Sequence, residues 1–496
     1  MLQSIDWSDK STKAVSITAA TVASAYVLYS ILSPKNPFAD LPRTKYSYAH
    51  SFTYDPAKKD VEAEEEFPKF ERSSYIGRPS IVVNDIDLSH HVLARQDRYK
   101  QGHLFGRSLM FSSTHQLLFG GVNIANSNGQ DWKIRRDVLV PLFQGRVMVP
   151  DLLPFIVRRT QQLVEEIKSH KGKPIDIDER YGTLTADVIC EYLFAQSPGP
   201  GEVKFDNFIN PAQAIAQLKL TNLYAFFGFK STASREIEQN CAFIRKMIHK
   251  IKRGEKLREN GPLTLAEKLL QFEQYQGPEG EERLILELLI VFFAGHDTTA
   301  HSMTMLTYIL AKEPECQQRI REEANELIPD DDSLTAANLG KLKYTSAAIK
   351  ENLRLHPVIP EVAIECHEDN TLGQCHIPAG STVILPVVRL HRDPNVFKKP
   401  LAFVPERWLQ EDLDLHSDLE AVGSGKSLLS KAFFTFSQGT HSCLGMNLAY
   451  LELRVVTALL AQNFDIQYHG PVPEICNALL RLKEVPLMEF HERKRD

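Results

Sequence analysis

The sequence predicts a mainly α-helical body with small β-sheets, preceded by a separate N-terminal helix that crosses a membrane. Three observations carry that expectation. Helical periodicity dominates after about residue 46. Strand-like runs are few and short, and they do not alternate with helices as a doubly wound sheet requires. Residues 14–32 form an uncharged stretch of 19 residues, AVSITAATVASAYVLYSIL, ahead of everything else.

The elements follow in chain order. Residues 1–13 are a polar tail. Residues 14–32 are the anchor: at helical rise they span roughly 28 Å, close to a hydrocarbon core of about 30 Å. A cleaved signal peptide fits less well, because Asp6 and Asp9 stand beside Lys10 and Lys13 and no clear cleavage site follows. Residues 33–45 are a linker stiffened by Pro34, Pro37 and Pro42. Its Lys35, Arg43 and Lys45 put the positive balance downstream of the anchor, so that side faces the cytosol. Residues 46–496 are the globular body. Helices are expected over 148–170, 234–258, 281–312, 313–327 and 339–355, and strands near 80–83, 371–376 and 382–388.

Composition narrows the class. Hydrophobic residues are 43% and charged residues 24%, the proportions of a globular chain rather than a disordered or polytopic one. A net charge of -6 does not suit a strongly basic nucleic-acid binder. The 7 cysteines are scattered, with no CxxC pair, which excludes a disulfide framework or a zinc ribbon. No Asn-x-Ser/Thr sequon occurs. The bulk of the chain therefore reads as facing a reducing compartment.

One short segment carries chemistry: Phe436-Ser437-Gln438-Gly439-Thr440-His441-Ser442-Cys443-Leu444-Gly445. A cysteine flanked by glycines stands just before an apolar helical run. A thiolate at a helix N-terminus is stabilised by the dipole and by unpaired N–H groups. Gly439 permits a tight turn, and Gly445 leaves room for something flat near the backbone. Taken alone, an inert cysteine in a glycine-containing turn explains the segment equally well.

The ten residues together resemble the haem-binding loop of the cytochrome P-450 family, membrane-anchored microsomal type. Further segments resemble that family in the expected order: Trp132-Lys133-Ile134-Arg135-Arg136, Ala294-Gly295-His296-Asp297-Thr298-Thr299, Glu351-Asn352-Leu353-Arg354 and Pro405-Glu406-Arg407-Trp408. The resemblance covers residues 46–496. It implies a single catalytic domain that binds haem b (iron protoporphyrin IX), with Cys443 as the thiolate ligand of the metal. It places Phe436, Gly439, His441 and Gly445 in the cofactor loop, and Trp132 and Arg136 beside a propionate. It implies that Glu351, Arg354 and Arg407 lock together as a structural triad. Asp297 and Thr298 become the catalytic pair that brings protons to the distal side, an acid and a hydroxyl being the right residue types. Mid-helix Gly, Asp and Thr are also expected to open a local helical hydrogen bond. One departure is Ile364, which stands where the family often has a propionate-binding arginine; His441 is the alternative donor.

Function is read from the same resemblance. The chain is expected to insert one oxygen atom from O2 into a lipophilic substrate. Fatty acids, sterols and terpenoids fit equally. Segments 101–128, 205–229, 287–294, 358–363 and 473–480 are expected to line the pocket, with Phe293, Val358, Ile359 and Val362 among the lining residues. Electrons are expected from an NADPH-cytochrome P-450 reductase, with a b-type cytochrome as a second donor, docking near Lys133, Arg135, Lys431 and His441. The expected location is the endoplasmic-reticulum membrane, single-pass, with the body cytosolic and no nucleic-acid partner. Two other classes stay open: a haem-thiolate isomerase, lyase or peroxygenase that needs no reductase, and a noncatalytic haem- or lipid-binding protein.

Overall fold

The computed structural model describes residues 36–44, 67–75, 78–94, 105–106, 120–198, 202–203, 232–409, 425–473, 475–476, 481–482, 484 and 486–493. The expected anchor at 14–32, the pocket segment 205–229 and most of 101–128 and 473–480 lie outside them.

The longer elements run β1 (Phe70–Tyr75), β2 (Arg78–Val83), α1 (Ile86–Ala94), β3 (Phe105–Gly106), α2 (Gly129–Leu142), α3 (Gly145–Ser169), β4 (Ile175–Asp176), α4 (Ile177–Phe194), α5 (Thr232–Lys252), α6 (Gly277–Lys312), α7 (Pro314–Leu327) and α8 (Lys343–Leu355). They continue with β5 (Val362–Cys366), β6 (Asn370–Leu372), β7 (Cys375–Ile377), β8 (Thr382–Leu385), α9 (Met446–Asn463), β9 (Phe464–Gln467) and β10 (Leu487–Glu492). The mainly helical body with small sheets is the class the sequence predicts.

The helices pack around α6, the 36-residue axis of the molecule. Pro278 in its first turn is placed where the missing N–H costs nothing. Among the described residues α6 is the one helix long and apolar enough to cross a membrane, but it is mostly buried inside the protein. It is therefore the core helix, apolar along most of its length because neighbouring helices cover most of its surface. Its closest neighbour is α4. A Cβ on Gly295 would lie 2.9 Å from Ile189 Cδ1, so glycine there lets the two helices approach. The segment that became α4 carries several β-branched and aromatic residues with weak intrinsic helix preference, and burial against α6 decides its conformation. Asp176 caps it by accepting from the N–H of Glu179.

The expected opening of α6 does not occur. The helix is continuous, and Thr298, Ser302, Thr304 and Thr307 each turn a hydroxyl back to the carbonyl four residues earlier. Such back-bonding satisfies the hydroxyls without breaking the ladder. The carbonyl of His296 instead accepts an additional bond from the Thr185 hydroxyl of α4, at 2.9 Å.

A mixed sheet in the order β1-β2-β8-β5-β3 sits to one side. β2 and β8 pair in parallel, brought together by the whole intervening helical body. This sheet has its own core, in which Ile81, Val83, Ile364, Val383 and Phe434 pack. Ile364 is thus a core residue paired with Val383. The expected strand near 371–376 is a hairpin, β6 and β7, because Gly373 at φ +59° reverses the chain. The run at 382–388 ends as a strand at Leu385, where Pro386 precedes a short helical turn.

Candidate active site

The cysteine loop is built by local backbone geometry and then clamped. Gly439 has φ +73°, and a Cβ there would lie 2.3 Å from the carbonyl oxygen of Leu93 in α1, so no other residue fits. Ser437 is also left-handed, at φ +55°. The Cys443 N–H donates to Phe436 O at 2.8 Å, closing the loop on itself. The Gln438 amide donates to the carbonyls of Lys431 and Phe433 at 2.8 and 3.1 Å, which fastens the loop to the end of the short helix Gly425–Ala432. α9 starts directly after Gly445.

The base of this loop is held by buried charge. Glu351 and Arg354, three apart on α8, pair through Nε and Nη2 at 2.9 and 2.7 Å. Arg407 and the Trp408 indole each donate to Glu351 at 2.9 Å, and the Val404 N–H donates at 3.0 Å. Burial would raise the Glu351 carboxyl, but Arg354 and Arg407 hold it down at about 2. His391 then connects this cluster to the loop. Its Nδ1 meets Arg354 O at 3.0 Å and its Nε2 accepts from the Phe434 N–H at 2.7 Å. Burial lowers His391 to about 3, so the imidazole is neutral and can accept. The Thr435 hydroxyl adds a bond to Leu353 O at 2.9 Å.

Two adjoining cavities of about 190 and 210 Å³ open over the cysteine. Both are lined by Cys443, Phe436, His441, Thr298, Thr299 and Ala449, so they are lobes of one space. Val358, Ile359 and Val362 line the first lobe, as expected for segment 358–363. Ile290, Val291 and Ala294 of α6 line the second, together with Ile124 and Ala125. Phe293 lines neither; it packs against the helical core. The Cys443 sulfur faces the space. Burial pushes its thiol up, while the Gly445 and Met446 N–H groups and the Arg136 guanidinium pull the other way.

Trp132 and Arg136, four apart on α2, reach the second lobe. The Trp132 ring stacks on His441 with centroids 4.0 Å apart, so both rings are fixed as one wall. Arg136 lies over Trp132 and donates to the Ser442 hydroxyl at 3.3 Å. Among the described residues it has no carboxylate partner. Arg135 points the other way. It is buried and paired with Asp131 and with the fully buried Glu287 of α6. Arg135 and His441 therefore present no charge at the surface, which removes two of the four residues expected to dock a redox partner. Lys431 is paired with Asp87 and Lys133 with Asp137.

The expected catalytic pair separates. Thr298 lines both lobes, whereas Asp297 lines neither and is 2% exposed on the side of α6 that faces α4. It pairs there with His301. The sequence offered a signal for this partner, since His301 stands four residues on, over the same helix face. Asp178, which completes the group from α4, and Ser442, which holds Arg136, gave no such signal.

A group suited to this space is apolar over most of its surface, carries negative charge where Arg136 waits, and offers a cation to the sulfur. The donor set agrees: a thiol, a half-buried guanidinium without a carboxylate, and Gly445, where an added Cβ would meet nothing nearer than the Cys443 sulfur at 3.9 Å. Haem is such a group, and the class defined is a thiolate-ligated haem protein.

Comparison with known proteins agrees. The family model described as Cytochrome P450 matches residues 48–488. The chain is 28% identical over 376 residues to cytochrome P450 4X1 of Rattus norvegicus, covering 71% of each chain. It is 24% identical over 440 residues to cytochrome P450 3A6 of Oryctolagus cuniculus, covering 82% of this chain and 81% of the relative. With cytochrome P450 4c21 of Blattella germanica it shares 25% over 415 residues, 79% of each. The chain belongs to the cytochrome P450 family. It is an oxidoreductase, a haem-thiolate monooxygenase, and binds haem iron through a cysteine thiolate.

Proposed function

We propose that the chain is a membrane-anchored monooxygenase that oxidises a lipophilic small molecule of fatty-acid, sterol or terpenoid type, using electrons from an NADPH-dependent reductase. The observation that carries this reading is that Cys443 and Thr298 line one apolar space. Cys443 is the residue that holds the haem iron. Phe436, Gly439 and Gly445 shape the loop around it, and Trp132, Arg136 and His441 hold the propionate edge. Haem held by these residues would supply the oxygen-activating iron chemistry of the reaction. Thr298 presents a hydroxyl to the distal side, where it holds a proton donor or water in place. Asp297, the next residue, lies on the α4 side of the same helix and is the acid from which protons are supplied to the Thr298 side. Val358, Ile359 and Val362 exclude water and orient an apolar substrate.

Residues 14–32 anchor the protein in the endoplasmic-reticulum membrane in a single pass, after a tail at 1–13. Residues 33–45 link the anchor to a cytosolic catalytic domain at 46–496. The uncharged stretch and the basic linker support this arrangement.

Two variants test the reading. Cys443→Ser should lose the red-shifted Soret band of the reduced protein with carbon monoxide, while Cys366→Ser and Cys375→Ser keep it. Thr298→Ala keeps a good helix former, so haem content and substrate binding should persist. NADPH consumption should continue with more hydrogen peroxide and less product. Unchanged product per NADPH in Thr298→Ala would remove its catalytic role. Product formed only from a peroxide, never from NADPH and O2, would replace the monooxygenase by a peroxygenase.

A further inference from the structure

Asp297 sits in a bridge that the cysteine loop and the cavity do not touch. Its Oδ1 lies 3.2 Å from His301 Nε2, and His301 Nδ1 lies 3.1 Å from Oδ1 of Asp178, in the first turn of α4. The Thr304 hydroxyl donates to the same Asp178 oxygen at 2.6 Å. Asp297 Oδ2 is buried with no hydrogen-bond partner among the described residues. The bridge therefore starts beside Thr298 and ends at Asp178, whose side chain is 18% exposed.

We propose that His301 is a positioning residue for Asp297: as an imidazolium it holds that carboxylate aimed at α4 and ties it to the partly exposed Asp178. The functional half of this rests on the Asp297 and Thr298 reading given above. The Nδ1 contact is a hydrogen bond, whereas the Nε2 contact to Asp297 is an ion-pair distance without hydrogen-bond geometry, so charge rather than a second N–H bond ties Asp297 to the ring. Carboxylates at both ring nitrogens select the protonated form. Burial alone would lower the imidazole, but the close carboxylates of Asp178 and Asp297 raise it to about 9.

The other titratable groups nearby do not compete for the proton. His296, adjacent to Asp297 on α6, is pushed down by burial and is neutral. Tyr181, one turn along α4 from Asp178, is pushed up by burial and stays protonated while its hydroxyl bonds Thr307. The bridge engages one oxygen of Asp297, leaving Oδ2 as its uncommitted oxygen. It also fixes α4 against α6 beside the close Gly295–Ile189 approach. When His301 deprotonates, its positive charge beside Asp297 is lost and that carboxylate is no longer held. Proton supply to the Thr298 side then changes with pH in a way set by one histidine.

The experiment uses the full-length, haem-loaded protein and two variants, His301→Gln and Asp178→Asn. The melting temperature is measured from pH 6 to pH 10, and product, peroxide and NADPH are measured together at pH 7 and pH 9.5. His301 has a folded-state pKa above its unfolded value, so its contribution is complete below about 6.5 and is lost as pH rises through about 9. Wild type should lose melting temperature over that window, and His301→Gln should lie below it at pH 7 and converge with it by pH 10. Asp178→Asn keeps the imidazole but removes one anion, so its alkaline loss should begin at lower pH. Product per NADPH should fall several-fold in both variants at pH 7, with substrate KM unchanged. A constant gap in melting temperature between wild type and His301→Gln across the range would overturn the imidazolium bridge. Wild-type coupling in both variants, alongside lost coupling in Thr298→Ala, would make His301 a strut without influence on proton supply. Unchanged coupling in Thr298→Ala with the pH-dependent gap intact would sink the catalytic reading and leave the bridge standing.

Discussion

Two of the clusters of buried charge among the described residues, around Glu351 and around Asp297, are built on different principles. Around Glu351 both carboxylate oxygens are saturated by fixed donors: Arg354, Arg407, the Trp408 indole and the Val404 N–H. The guanidiniums cannot lose their protons. Arg354 spends its remaining donors on the carbonyls of His391, Pro400 and Ala402. Around Asp297 the partner is a titratable imidazole, and one carboxylate oxygen has no partner among the described residues. The first cluster has a single state at any physiological pH and serves as an anchor for the cysteine loop. The second has a state that depends on one proton, and it lies next to the residue proposed to handle protons. Saturation of the carboxylate by fixed donors separates the two, not depth, since both are buried.

The largest expected effect comes from breaking the saturated cluster. Arg354→Ala leaves Glu351 buried beside a single guanidinium and strands several carbonyls. Removing one partner of a buried pair costs about 3–5 kcal/mol, a large part of the stability of a folded domain. The protein should fail to accumulate in a haem-loaded form, read from the carbon monoxide spectrum and from thermal unfolding. A soluble Arg354→Ala protein with wild-type melting temperature would erase the distinction between the clusters.

The next effect is one of sign. Glu351 is depressed to about 2, so its contribution is present above about 4.5 and is lost as pH falls toward 2. His301 is raised to about 9, so its contribution is present below about 6.5 and is lost as pH rises through 9. The clusters therefore fail at opposite ends of the pH scale, each by on the order of 3 kcal/mol at most. Denaturant unfolding across pH should show both limbs, and His301→Gln should abolish the alkaline one alone.

Smaller substitutions sharpen the contrast. Trp408→Phe removes one donor from Glu351 while keeping most of the ring, and should cost about 1.5 kcal/mol, the value of a hydrogen bond to a charged acceptor. Thr304→Ala removes one donor from the partly exposed Asp178 and should cost about 1 kcal/mol or less. Thr304→Ala should also raise the His301 pKa slightly, because Asp178 then relies more on the imidazolium. Urea midpoints of the two variants at pH 7 check the order.

The cysteine loop was legible because its requirements are local. A glycine at φ +73° under a neighbouring carbonyl, a thiol two residues before Gly445, and a Glu and Arg one turn apart on α8 are conditions on short stretches of chain. The long amphipathic helices were legible for the same reason. The helix α4 was not, since its residues gain helical structure only by burial against α6. Neither was the pairing of β2 with β8, residues roughly three hundred apart in sequence, because nothing local encodes which distant edge a strand will meet.

The direction in which neighbouring residues point was also beyond the sequence. On a helix, consecutive side chains diverge by about 100°. The sequence alone therefore established that Asp297 and Thr298, or Arg135 and Arg136, look onto different faces. Only packing decided which face is which. With α4 pressed against one side of α6, Asp297 meets His301 and Asp178 there, and Thr298 is left for the cavity. With Glu287 of α6 claiming Arg135, Arg136 is the guanidinium left at the cavity edge. Residue types and their spacing fixed the chemistry available to this protein. The positions of α4 and α6 around one space determined which of those residues can reach it, because a side chain's reach is a few ångströms and helix placement is a property of the whole core.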